Sequence, residues 1–319
     1  MSTAESATAT EQGRRTPGLV PVAETMRTAQ RHAPESSPPA ERPASTGPAR
    51  AFWRLLGSEL GLTFRRPRNL VMLGVLAAVP VIIGVALRAF GSGEEGMGGI
   101  IQAVAGNSLM LTFVSFSFLV LLLMPVAVSV VGGDSIAGEA GAGTLRYLLA
   151  APAGRTRLLV VKYLNAAVYG YAVTAVVALS ALVTGLLLFP TGPVTLLSGT
   201  TISMGEGLVR IAISVGYIGT AMAALAAVAL ALSTFTEVSI GAIAATMVLL
   251  IVCQVLRAIP ELSSITPYLL PTKFTNFDAV LRSPIDFRAL GDGLLAFGAY
   301  IGLFGSIAWA RFSGKDITS

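Results

Sequence analysis

The sequence predicts an all-α polytopic membrane protein. Six transmembrane helices are expected, with an amphipathic interfacial helix ahead of the first and a cytosolic coupling helix between the second and third. Three observations carry this. Of 319 residues, 54% are hydrophobic and 12% charged, about half the charge of an ordinary soluble domain, and the mean hydropathy is +0.74. Six apolar stretches reach the roughly 20 residues that cross about 30 Å of hydrocarbon. Lys and Arg gather at the ends of those stretches and form no patch interleaved with aromatics. A net charge of +5 therefore points to lipid headgroups and topology control rather than nucleic acid.

Residues 1–48 are rich in Pro, Ala, Ser, Thr and Glu. They hold no apolar run of signal-peptide length, and read as a disordered cytosolic tail, either regulatory or a plain tether. From Arg50 to Arg68 the text becomes RAFWRLLGSELGLTFRRPR. On a helix, Phe52, Trp53, Leu56, Leu60 and Phe64 share one side, and Arg54, Ser58, Gly61 and Arg65 the other. Such a helix is expected to lie in the membrane interface, Trp53 at headgroup level and Arg54 and Arg65 toward phosphates, until Pro67 ends it. The transmembrane domain, residues 49–319, then places its spans near 70–89, 109–131, 158–189, 208–233, 239–258 and 291–312. The third is long enough to tilt or to extend beyond the bilayer.

From residue 50 onward, eleven Lys and Arg lie on the side of the N-terminus and six on the other, which places both termini in the cytosol. The outer connection 259–290 carries Pro260, Pro267, Pro271 and Pro284 among apolar pieces. Re-entrant half-helices and a surface loop with short interfacial helices both fit it. The inner connection Thr234–Val238 is short, with Glu237 its sole charge. Small residues recur every four positions at Gly298, Gly302, Ser306 and Ala310, and at Gly216, Thr220 and Ala224, a spacing that admits close helix approach within the chain or across a dimer. Cys253 is the single cysteine and His32 the single histidine, so neither an intrachain disulfide nor a His-based metal site is available. Nearly acid-free spans disfavour an intramembrane hydrolase or a proton relay.

The most polar and glycine-rich interruption is Gly133–Lys162, GDSIAGEAGAGTLRYLLAAPAGRTRLLVVK. Gly138 and Gly143 have P-loop spacing, yet Thr144 and Leu145 stand where Lys and Ser/Thr are required. Gly141 and Gly143 fail the dinucleotide pattern, because Arg146 replaces its third glycine. As structure, Asp134 caps a first turn running through Glu139, the glycines allow an elbow, and Thr144 caps a second short helix carrying Leu145, Leu148 and Leu149, stopped by Pro152 and Gly154. The leucine pair calls for cover by the interface or by a partner.

Glu139, Gly143-Thr144-Leu145, Leu148-Leu149, Pro152, Arg155 and Lys162 together resemble the coupling region of ABC-2 type permeases, the transmembrane subunits of bacterial ATP-binding cassette exporters. The likeness extends over about residues 50–317, including Asp316 in the tail. It departs at Ala140-Gly141-Ala142, where the family often has a charged pair. The resemblance implies a separately encoded ATPase subunit that receives the 133–154 helices. Asp134 and Glu139 would meet it, Glu139 by pairing with a basic residue, and Leu145, Leu148 and Leu149 would give apolar contact. Arg155, Arg157 and Lys162 would anchor the inner interface by snorkelling. It further implies a homodimer or heterodimer of permeases in the lipid bilayer, and no cofactor on this chain, ATP and magnesium belonging to the ATPase. The alternative is a membrane scaffold that uses the partner ATPase for mechanical work without moving a solute.

Overall fold

The computed structural model describes residues 47–90, 107–144, 154–192, 194–195 and 200–314. The expected tail lies almost wholly outside them. The amphipathic stretch forms α1, Pro48–Arg65. Its sequel α2, Pro67–Phe90, starts on a proline, which serves well as a first helical residue because its missing N–H would find no partner there. Asn69 closes the corner by donating its side-chain amide to the Thr63 carbonyl at 2.9 Å. The face of α1 that turns inward carries Leu56 and Thr63, both buried, and α1 packs on the long helix α5 described below. Trp53 points away, 67% exposed, rather than sharing the side of Leu56.

The expected second span is not one straight helix. It is α3, Met110–Leu119, followed by α4, Leu123–Gly141, with a 56° bend between them. Pro125 explains the break: it has no N–H to give to the Leu121 carbonyl, and its ring would collide with that group in a continuous helix. The second half then runs on through Gly133, Asp134 and Glu139 to Gly141. Asp134 is therefore interior to a helix and caps nothing, and the polar stretch begins as helix, not loop. Its glycines allow close contact. A Cβ on Gly132 would sit 2.8 Å from the Ala229 methyl, and one on Gly133 2.9 Å from Ile243.

The remaining expected spans form α5, Arg155–Leu188, α6, Met204–Ser233, α7, Ser239–Arg257, and, after the short α8, Leu270–Phe274, the last helix α9, Phe287–Ser313. At 34 residues, α5 extends about 51 Å at 1.5 Å per residue. Among the described residues five helices are long and apolar enough to cross a membrane, or six if the bent pair is one span. Their outward faces fit that reading. Val71, Ile82, Ile240 and Ile251 are each more than half exposed, a large apolar surface that only lipid or protein can cover.

The central helix is α6, 78% of whose most apolar stretch is buried, against 17% for α2, α7 and α9. It packs against α4, α5, α7 and α9. Ser203 caps it by accepting from the Glu206 N–H at 3.2 Å. An unexpected two-stranded antiparallel ladder, β1 Val194–Thr195 with β2 Thr201–Ile202, lies between α5 and α6. Beyond α7 the connection, expected over 259–290, ends at residue 286 and is a chain of 3₁₀ turns around α8. It folds inward, burying Leu270, Phe274, Phe277 and Val280 in the main core. Arg210 of α6, 3% exposed, clamps it by donating to the carbonyls of Val280 and Arg282 while pairing with Glu206 at 2.7 Å. On the small-residue face of α6, Thr220 bonds the Tyr171 hydroxyl at 2.7 Å. A Cβ on Gly216, or on Gly298 or Gly302 of α9, would meet no atom within 4 Å among the described residues.

Candidate functional site

The end of the helices where α1 meets α2, here called the base, gathers nearly every charge singled out in the central stretch. Lys162 stands about two turns into α5, with Leu158, Leu159, Val160 and Val161 before it. Its side chain is 3% exposed, with the Glu139 carboxylate of α4 at 2.5 Å and the Glu59 carboxylate of α1 at 3.5 Å. An ammonium taken out of water is tolerated only against such partners. Lys162 is thus no interfacial anchor snorkelling to phosphates, but an internal tie joining α1, α4 and α5. Glu139 in turn already has its cation within the chain, contrary to the expected pairing with a basic residue of another protein.

A second ion cluster lies beside the first. Arg66 donates to Asp134 Oδ2 at 2.6 Å, and Arg68 donates to the same oxygen. The α1–α2 corner is thereby fastened to α4. Between the clusters Thr63 accepts from the Asn165 amide at 2.8 Å through its hydroxyl and from the Asn69 amide through its carbonyl. The Tyr169 hydroxyl donates to the Asn69 carbonyl at 3.2 Å. The two ion clusters, Thr63, Asn69 and Asn165 line a polar cavity of about 190 Å³.

Gly143 and Thr144 close the end of α4. The Thr144 N–H bonds the Glu139 carbonyl and the Gly143 N–H that of Ala140, both at 3.0 Å, with Gly143 at φ +68°. This is a Schellman stop, which suits glycine because a left-handed residue with a Cβ is strained. Thr144 also donates its hydroxyl back to Glu139, so it finishes the helix behind it; the second helix it was expected to cap lies outside the described residues. The elbow is at Gly143 alone. Gly141 remains helical, and its missing side chain admits the Glu237 carbonyl, which would lie 2.7 Å from a Cβ. The exposed Glu237 thus brings the α6–α7 connection against the end of α4.

Leu145, Leu148, Leu149 and Pro152 lie outside the described residues. Chain resumes at Gly154, φ +77°, and Arg155 donates to the Ser313 carbonyl at 2.6 Å. That contact sets a cation on the negative end of α9, where the helix dipole favours it. The Arg157 guanidinium lies 5.9 Å from the Phe52 ring centre, tying α5 to α1. Arg54 and Arg65 are exposed on α1.

Sequence reasoning missed Glu59, Thr63, Arg66, Arg68, Asn69 and Asn165 as members of this cluster. Two signals were present. A lone Lys inside an apolar helix implies a buried partner, and Glu59 falls three residues after Leu56 and four before Thr63, on the face that α1 buries.

A family model described as "Protein of unknown function (DUF2705)" matches residues 78–318. The match takes in Asp134, Glu139, Lys162 and Asn165, and starts after α1 and the Arg66–Arg68 corner. No curated protein matches the chain.

Proposed function

The chain belongs to the DUF2705 family of proteins of unknown function, and we propose that it is the membrane-spanning permease subunit of an ATP-binding cassette transporter, an exporter driven by ATP hydrolysis in a separate subunit. On this reading α3 and α4 are one bent span, giving six. The base and both termini face the bacterial cytosol, α1 lies in the interface, and residues 145–153 form the coupling segment on which the ATPase acts.

The observation that supports this reading is how that segment is mounted. It follows the Gly143 stop of α4 and precedes Gly154 at the start of α5, and the Glu139–Lys162 pair at 2.5 Å joins those two helices. A displacement of the segment is therefore delivered to α4 and α5 together. Both pack directly on the central α6, and α1 follows through Glu59. Rigid-body shifts of packed helices are how such a push becomes alternating access. The open glycine face of α9 at Gly298 and Gly302 is where a second permease copy would approach closely. The chain would hold no nucleotide itself, ATP and magnesium being bound by the ATPase.

Purification from its own membranes tests the proposal. Magnesium-dependent ATP hydrolysis co-purifies with the intact chain and falls to background with Leu148→Ser plus Leu149→Ser, while the variant keeps its thermal stability. Hydrolysis absent from the intact complex, or unchanged in the variant, refutes it.

A further inference from the structure

The polar cavity at the base has a charge layout that the transport reading does not use. On its inner side one ammonium, Lys162, faces two carboxylates, Glu59 and Glu139, which leaves one negative charge in excess. On its outer side two guanidiniums, Arg66 and Arg68, share the single carboxylate of Asp134, which leaves one positive charge in excess. The inner side also has acceptors to spare. Oδ1 of Asn69, Oδ1 of Asn165 and Oε2 of Glu139 have no hydrogen-bond partner among the described residues, and the two asparagines are 1% and 5% exposed. Buried acceptors without donors cost free energy that a donor group entering the cavity would recover. Arg66 and Arg68 are 53% and 44% exposed. Leu62, an apolar residue of α1 that is 59% exposed, also lines the cavity. With α1 in the interface, as proposed above, the mouth opens where a lipid headgroup and the root of its chains would lie.

We propose that this cavity binds a zwitterion carrying a primary ammonium and a phosphate, the headgroup chemistry of an aminophospholipid. A primary ammonium has one positive charge and three N–H donors, matching both the inner charge excess and the three unpaired acceptors. The phosphate meets Arg66 and Arg68, whose guanidiniums suit a multi-oxygen anion. A quaternary ammonium brings the same charge without a donor and leaves the acceptors unpaired. An anionic headgroup without an amine satisfies the mouth only. The proposal holds whether or not the chain is a permease.

The test is competition between phosphatidylethanolamine and phosphatidylcholine for the purified full chain in mixed micelles, read by native mass spectrometry. The expected preference for the ethanolamine lipid is about tenfold, decreasing stepwise through its N-methyl and N,N-dimethyl forms, and close to none in Asn165→Leu. Arg66→Gln with Arg68→Gln weakens phosphatidylethanolamine and phosphatidylglycerol alike. The methylation series on the unaltered chain carries the test if Asn165→Leu does not fold. Equal retention of the ethanolamine and choline lipids, or a preference that survives in folded Asn165→Leu, overturns the proposal. Soluble phosphoethanolamine, added without lipid, identifies the source. If it raises the thermal midpoint, the site stands with a free molecule as ligand, and if only lipid does so the ligand is a membrane headgroup. No shift from either overturns the assignment.

Discussion

Lys162→Met removes the ammonium that holds α1, α4 and α5 together and keeps a side chain of similar length. At an effective dielectric near 20, the attraction across 2.5 Å to Glu139 is roughly 6–7 kcal/mol, and that across 3.5 Å to Glu59 about 5 kcal/mol. The substitution also removes the desolvation penalty of the ammonium, several kcal/mol, so the net loss is about 3–5 kcal/mol, the range for breaking one side of a buried pair. The carboxylates, 22% and 19% exposed, are left facing each other with no cation between them. Equilibrium unfolding in mixed micelles measures the loss, and adding Glu59→Gln and Glu139→Gln to Lys162→Met recovers most of it, because a neutral replacement of a buried ion cluster is often close to harmless. A loss below about 1 kcal/mol, the value of solvent-exposed pairs, would refute the reasoning, as would a triple variant no more stable than the single.

Two glycines near the end of α4 separate close approach from backbone conformation. Gly141→Ala drives a methyl into the Glu237 carbonyl and is expected to cost about 1–3 kcal/mol, with faster hydrogen exchange in 234–238. Gly143→Ala meets no atom within 4 Å among the described residues but has a φ of +68° and is expected to cost about 1–2 kcal/mol, with Gly143→Asn milder, both read by the same unfolding assay. At the opposite end Arg210→Ala frees the carbonyls of Val280 and Arg282 and leaves Glu206 without its cation. Limited proteolysis should then cut within 259–290 at least tenfold faster, as hydrogen bonds to charged groups contribute about 1.5–3 kcal/mol each.

The long helices were legible in the sequence because an apolar run of span length has few other places to go, and five expected spans begin and end within a few residues of the helices observed. The bend at Pro125 was legible in principle, but a proline near one end of a helical segment reads as harmless until the continuity of the run is questioned. The central stretch was misread for a more general reason. Clusters of glycine signal loops when only the local chain is considered, whereas Gly132, Gly133 and Gly141 serve partners on α6, on α7 and in the connection between them, all roughly a hundred residues away in sequence. The same distance concealed the polar cluster. Glu59, Asp134 and Lys162 each have an ordinary local explanation, as an amphipathic face, a cap or a topology signal, and only the fold brings them to one cavity. Of the elbow expected at Gly141 and Gly143, the left-handed turn at Gly143 is present, because a left-handed residue is a local property.

The half of α6 nearer the base alternates buried alanines, at 221, 223, 224, 226, 227, 229 and 231, with the buried side chains of Met222, Leu225, Val228 and Leu230. An alanine has no rotamer to exchange and no side-chain entropy to lose. The small positions let a neighbouring backbone stand close, as at Gly132, where a Cβ would sit 2.8 Å from the Ala229 methyl, while the larger ones interlock. The strip works as a gauge, setting how near α4 can stand by backbone and methyl contacts that have no softer conformer to fall back on.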